Sequence, residues 1–369
     1  ESTPASRPER DCLMPSMLVY RGDYGQLSLE EHSHPDVGAG EVCVALDTAL
    51  VCSSDLHTIF HRRTAPTPLV LGHETVSVID RIGDGGPTTD MQGIPLRVGD
   101  RVVWAVVASC GACGTCSRGW PQKCPGALKY GHARLSSQEK WMGGFADYQV
   151  LKPGTSILRV PEHVPSRIAA TIGCSTATVC AVLEAAGDIR DKVVLISGAG
   201  QLGMQAAIMA KSGGAKQVIC LEAQPQRRTD AKRMGFVTIA PESMALMLSD
   251  ATGGEPIDIY LELAGHVSDF SMLMKHLAVG STIVFAGAVF PSPALPLDME
   301  TVIRKCITIK GIHNYRPEHL VRALAFASAH CDALSEFLKF GSLLPLREHA
   351  AVVHAGDSRA IHRVGFTSG

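Results

Sequence analysis

An α/β chain with one mostly-β domain and one doubly wound parallel-sheet domain follows from three features of the sequence. Its 369 residues exceed one typical domain. The first half reads as short strand-like runs, 41–46, 102–107 and 147–152, cut by Gly and Pro. From about Ala177 the texture changes to apolar strands alternating with helices, the pattern of a parallel sheet with crossovers.

Taken in order, the second half begins with an Ala-rich helix over 177–186. The VVLIS run at 193–197 follows, continuously apolar as a strand buried on both faces must be. A helix over 201–212 comes next, then strands at 217–221, 257–261, 282–285 and 307–311. The chain then reads as a helix over 317–340 and a strand-like AAVVH segment, which is expected to rejoin the first domain.

Apolar residues at 46% and charged residues at 19% give a globular chain with a sizeable core. A formal net charge of −2 with scattered Lys and Arg excludes a nucleic-acid partner. The polar start, ESTPASRPER, is neither a signal peptide nor an anchor, and no apolar run approaches the roughly 18 residues of a membrane span. A soluble cytoplasmic protein is expected.

Twelve cysteines are many for such a protein. In a chain of this size thiolate clusters hold metal more often than they form disulfides. Cys110, Cys113, Cys116 and Cys124 follow a C-x2-C-x2-C-x7-C spacing that wraps one tetrahedral zinc and closes its shell. An iron–sulfur cluster is the competing reading of four cysteines. Cys52, His73 and Cys174 offer a second set, two thiolates and an imidazole, which leaves a fourth position open for substrate. Cys12, Cys43, Cys180, Cys220, Cys306 and Cys331 read mostly as buried thiols.

Gly198, Gly200 and Gly203 form a G-x-G-x-x-G turn, with Gln201 and Leu202 inside it, directly after a strand and opening a helix. That context makes it a dinucleotide site, with the pyrophosphate over the helix N-terminus. Glu222, 19 residues past Gly203, is placed for the adenosine ribose hydroxyls and repels a 2′-phosphate, so NAD is favoured over NADP. Arg227 and Arg228 argue the other way, or simply cap a solvated helix start beside the adenine.

Together GHE at 72–74, GDRV at 99–102, GGFADY at 143–148, the cysteine lobe and GAGQLG resemble the zinc-containing medium-chain alcohol dehydrogenases. The resemblance runs from about Leu18 to the C-terminus. It implies a GroES-like catalytic domain at 1–176 and 315–369, with a structural-zinc lobe at about 108–126, and a Rossmann domain at 177–314. It implies two zinc ions per chain: a catalytic one on Cys52, His73 and Cys174, and a structural one on the four-cysteine lobe. By the same resemblance Glu74 is a carboxylate able to approach the metal, and Ser54 hydrogen-bonds the substrate oxygen. His57 ends the proton relay, Asp55 braces its segment, and Thr178 sits beside the nicotinamide. A homodimer or homotetramer acting on a small alcohol or aldehyde is implied. Two positions depart from the family pattern, Ser53 and Ser77, where glycine is usual.

Three further stretches, HTIFHRRTAPTP, KYGH and GIHNYRPEHL, resemble a phosphonate-catabolism-associated subgroup. Arg63, Lys129, His132, His313 and Arg316 are then candidates to bind an anionic substrate such as a hydroxyalkylphosphonate. A polyol, threonine or formaldehyde dehydrogenase is the alternative within the class. A non-catalytic protein that keeps NAD and zinc lies outside it.

Overall fold

The computed structural model describes residues 14–137, 139–267, 269–338, 341–357 and 363–368; Cys12 and the polar first ten residues lie outside them. Six parallel strands form the second-half sheet. Their order is Val237–Ile239, Gln217–Leu221, Val193–Ser197, Ile257–Glu262, Leu277–Phe285, Thr308–Gly311. The order reverses between Val193–Ser197 and Ile257–Glu262, so a crevice opens past the carboxyl ends of those two strands. Five of the six strands are legible in the sequence. Val237–Ile239, at three residues, is too short to carry a periodic signal.

The first-half sheet is built on Val42–Leu50 paired antiparallel to Glu74–Ile82. Nearly all of Val42–Leu50 is buried rather than alternating, because the helix Ser166–Thr171 packs against the sheet here. The expected strand over 102–107 divides into Arg101–Trp104 and Val107–Ala108. The reason lies in its partners. Ala105 N–H bonds Ser156 O, while Val106 N–H donates 3.1 Å to the Tyr315 hydroxyl.

Three expectations need correction. AAVVH lies inside a helix, His349–Asp357, and the segment that rejoins the first sheet is Gly365–Thr367, antiparallel to Val42–Leu50. The helix expected over 317–340 is two, Pro317–Ala329 and Cys331–Phe337, broken at His330; residues 339–340 lie outside the described residues. An apolar helical run long enough to cross a membrane does exist, at Ser166–Ala186, and it is 72% buried inside the protein. Its side chains share one hydrophobic cluster with Leu50 and Val103 of the first sheet and Val194 and Ile196 of the second. That helix is the core's central member, and a single cluster spanning both sheets fixes the site between them.

Candidate metal centres and active site

The glycine turn has the geometry its sequence demands. Gly198 adopts φ 94°, and a Cβ at Gly203 would lie 1.7 Å from Gly198 O, so only glycine lets the helix Gln201–Ser212 approach the strand. Glu222 is buried; its Oε2 accepts Ala199 N–H at 2.7 Å and its Oε1 accepts Gln224 N–H at 2.8 Å. Each oxygen keeps a second lone pair. The Arg227 guanidinium stands 3.9 Å from Glu222 and close to Gly200, whereas Arg228 donates to the Glu222 and Ala223 carbonyls. Leu202 packs against the core, and Thr178 is half-buried one residue into the helix Ala177–Ala186.

In the cysteine lobe the four sulfurs lie within 4.8 Å of one another. Four of the separations are 3.5 Å (Cys113–Cys116 and Cys124–Cys110), 3.9 Å (Cys113–Cys124) and 4.0 Å (Cys110–Cys116). A zinc tetrahedron with ~2.3 Å Zn–S bonds has edges of about 3.8 Å, so this donor set fits the ion. Backbone N–H groups of Ala112 and Cys113 hold the Cys110 thiol down, to about 6. Cys113→Ser is expected to halve the zinc content from about two ions per chain to one and to lower Tm, read by metal analysis and calorimetry. Unchanged zinc in that variant would remove the lobe as a metal site.

The second cluster joins three distant segments, with the ligand atoms of Cys52, His73 and Cys174 within 4.8 Å of one another. Cys52 precedes the helix Ser53–Ile59, and its N–H donates 2.9 Å to Asp55 Oδ2. The other Asp55 oxygen lies 3.3 Å from His73 Nδ1, which turns Nε2 toward Ser54 Oγ at 3.2 Å. Ser53 sits inside this helix and has no left-handed φ, so the departure from glycine costs the turn nothing. Ser77 is likewise accommodated, buried in the strand Glu74–Ile82. Cys174 lies in a π-turn, Ile172–Thr176, inserted into the central helix. Tyr315 fixes that turn by donating its hydroxyl proton to Gly173 O while accepting Val106 N–H.

Charge in this centre is tightly coupled. A hydrogen bond from Cys174 outweighs burial and, with His73, holds the Cys52 thiol well below its ordinary value; Cys174 is pushed up correspondingly. Burial opposes a proton on His73, but Asp55 and Cys52 outweigh it and hold the imidazole up at about 10. Glu74 is buried and pushed up to about 8, with Arg363 pulling against the burial. Arg363 Nη2 reaches Glu74 Oε1 at 3.0 Å, its Nε reaches Gln201 Oε1 at 2.9 Å, and its Nη1 meets Val51 O. It thus ties the C-terminal strand to the metal cluster and the glycine turn.

The His57 ring lies 5.0 Å from that of Phe290, tilted by 50°. A cleft of about 1630 Å3 runs alongside, lined among others by Arg63, Lys123, Lys129, His132, His313 and Arg316. His132 lies 4.8 Å, ring to ring, from His73, and its Nδ1 is 3.4 Å from Arg63 Nη2. Lys129 Nζ donates to Asn314 Oδ1 at 3.4 Å, and Lys123 Nζ meets His313 Nδ1. Arg316 is engaged by Glu184, which also takes Arg322 and His319. Of the other cysteines, Cys43, Cys180 and Cys220 are buried, Cys331 is half-buried and Cys306 is exposed.

Known proteins resemble this arrangement over both halves. Residues 38–162 match the alcohol dehydrogenase GroES-like domain, and residues 202–329 match the zinc-binding dehydrogenase family. L-threonine 3-dehydrogenase of Pectobacterium carotovorum is 30% identical over 286 residues, covering 76% of this chain and 78% of its own. The 5-exo-hydroxycamphor dehydrogenase of Pseudomonas putida is 28% identical over 307 residues, covering 79% and 82%. A crystal structure of alcohol dehydrogenase from Thermotoga maritima superposes with a TM-score of 0.88 at 28% identity, covering 97% of this chain and all of that one. The fold is therefore a GroES-like domain joined to a Rossmann-type sheet, and the enzyme class is an oxidoreductase acting on CH–OH groups. This chain belongs to the zinc-binding medium-chain alcohol dehydrogenase family.

Two cleft and site residues escape sequence reasoning. Arg363 stands 289 residues from Glu74, beyond any local pattern. Lys123 directly precedes Cys124, where the metal motif draws attention away from the neighbouring charge.

Proposed function

We propose that this chain is an NAD-linked dehydrogenase with two zinc ions that oxidises a small alcohol carrying an anionic group, a hydroxyalkylphosphonate being the model substrate. The carrying observation is the cleft wall. Six of its residues are Lys or Arg, while Glu184 is its one carboxylate among the described residues and is already engaged by Arg316 and Arg322. A threonine-type substrate is the second reading, favoured by the relatives. Its ammonium needs a carboxylate that this wall does not spare.

When bound, zinc supplies Lewis acidity and NAD a hydride acceptor. The chain's own residues do the rest. Asp55 fixes the His73 tautomer so that Nε2 faces the two thiols. Ser54 Oγ takes the substrate hydroxyl proton as it gives up its own, and His57, three residues on along the same helix face, releases a proton to solvent. Glu222 selects NAD by repelling a 2′-phosphate. The proposed division is 1–176 with 315–369 against 177–314, and a cytoplasmic site suits thiolates that must stay reduced.

NAD reduction followed at 340 nm with 2-hydroxyethylphosphonate and with propanol tests the substrate. A kcat/KM ratio of about a hundredfold for the phosphonate, ~2.7 kcal/mol of transition-state binding, is expected. Parity with propanol would end the anionic reading and leave the dehydrogenase.

A homodimer or homotetramer is proposed with it. The edge strand Thr308–Gly311 is exposed at every residue, and so are Val279, on the strand paired with it, and Met299 and Ile303, on the helix that leads into it. Light scattering is expected to give twice or four times the chain mass of 39.2 kDa. A monomer with full activity would contradict it.

A further inference from the structure

Resting on the anionic-substrate reading, we propose that Lys123, Lys129 and Arg63 form a subsite for a dianionic phosphonate or phosphate-monoester group, with His313 and Asn314 holding the two lysines in place. The three cations come from separate segments. Lys123 belongs to the cysteine lobe, Lys129 to the short strand Leu128–Lys129, and Arg63 to the turn after the helix Ser53–Ile59. His313 and Asn314 arrive from the far half, just past the strand Thr308–Gly311.

None of the three meets a carboxylate among the described residues; their partners are the neutral acceptors His313, Asn314 and His132. Asn314 takes φ 60°, a left-handed conformation that asparagine tolerates better than most, and so presents its amide oxygen to Lys129. Burial first, then mutual repulsion with Arg63 and Lys123, holds the Lys129 ammonium down at about 8 and His313 at about 4. Like charges gathered without a counter-charge are a binding surface for one. A tetrahedral dianion brings three oxygens to three donors, where a carboxylate brings two and a single charge.

Distance to the chemistry is right for a short substrate. His132 contacts both Arg63 and His73, its Nδ1 3.4 Å from Arg63 Nη2 and its ring 4.8 Å from that of His73. A hydroxyl at the Cys52–His73–Cys174 centre and an anion at the subsite are then joined by a short carbon chain. The cysteine lobe, through Lys123, becomes part of substrate selection as well as a staple.

Calorimetric titration of the zinc- and NAD-loaded enzyme with methylphosphonate, which has no hydroxyl to oxidise, tests the subsite. Saturable binding is expected, weakened roughly tenfold to a hundredfold in Lys123→Gln and in Arg63→Gln. Lys275→Gln, on the exposed face of the helix Phe270–His276, is expected to keep wild-type affinity. Should Lys123→Gln disturb the lobe, seen as lost zinc, Arg63→Gln carries the test alone. Wild-type affinity in the folded variants would overturn the subsite while leaving the anionic-substrate reading to the propanol comparison. Absence of binding to the wild-type enzyme would overturn the subsite too, and parity with propanol would then end both. Turnover of 2-hydroxyethylphosphonate against 2-hydroxyethyl phosphate distinguishes the two sources of dianion; turnover of neither overturns the proposal.

Discussion

His73→Ala is expected to lower kcat/KM by about a thousandfold to ten-thousandfold, roughly 4–5.5 kcal/mol of lost transition-state stabilisation. His73 is the only nitrogen donor in a three-residue cluster, and its ring links that cluster to Asp55 through Nδ1 and to Ser54 through Nε2. Removing it would take away one of the three proposed zinc ligands and strand a fully buried carboxylate at Asp55. Cys52→Ser and Cys174→Ser are expected to act alike. In all three the four-cysteine lobe is untouched, so zinc analysis is expected to give one ion per chain and far-ultraviolet circular dichroism to stay native. Wild-type turnover in the one-zinc variant would sink the assignment of this cluster as the catalytic centre.

Above about pH 8, where Glu74 is ionised, Arg363→Met is expected to cost about 3–5 kcal/mol of stability, the penalty for leaving a buried charge without its partner. Glu74 is 0% exposed, and Arg363 supplies its one ion pair among the described residues. Its other two contacts hold Val51 and Gln201 across the junction of the two sheets. Scanning calorimetry is expected to show Tm falling by about 4–6 °C. Adding Glu74→Gln to the same chain removes the stranded charge and is expected to recover part of the loss, a coupling that a double-mutant cycle reads directly. If the two substitutions are simply additive, Arg363 acts on packing rather than on Glu74.

Local chemistry in this chain was legible wherever it is written in consecutive residues. The glycine turn, the four-cysteine spacing and the continuously apolar strand at Val193–Ser197 each carry their own physical constraint within a dozen residues or so. What escaped was settled by tertiary partners. The 102–107 run breaks because Val106 gives its N–H to a tyrosine 209 residues away. AAVVH looks like a strand by β-branching alone, yet it winds as His349–Asp357, where its two valines face the core and its alanines favour the helix. Arg316 and Lys123 show the same limit at the site. Both are basic residues in or beside motifs and both line the cleft, but only the structure reveals that Arg316 is engaged by Glu184 while Lys123 meets the neutral His313.

The close approach of the lobe sulfurs bears on how the enzyme tolerates chelation. With a zinc ion bound as proposed, the four thiolates would be held apart by bonds to a common centre. Chelation would free four thiols that the fold holds within 4.8 Å of one another. Peroxide can then take two electrons from a neighbouring pair and join them, and a joined pair cannot bind zinc again. Metal loss in air is therefore a ratchet, whereas under a thiol reductant it is a reversible equilibrium. Enzyme chelated and re-zincated without reductant is expected to return with one staple fewer and a lower thermal limit.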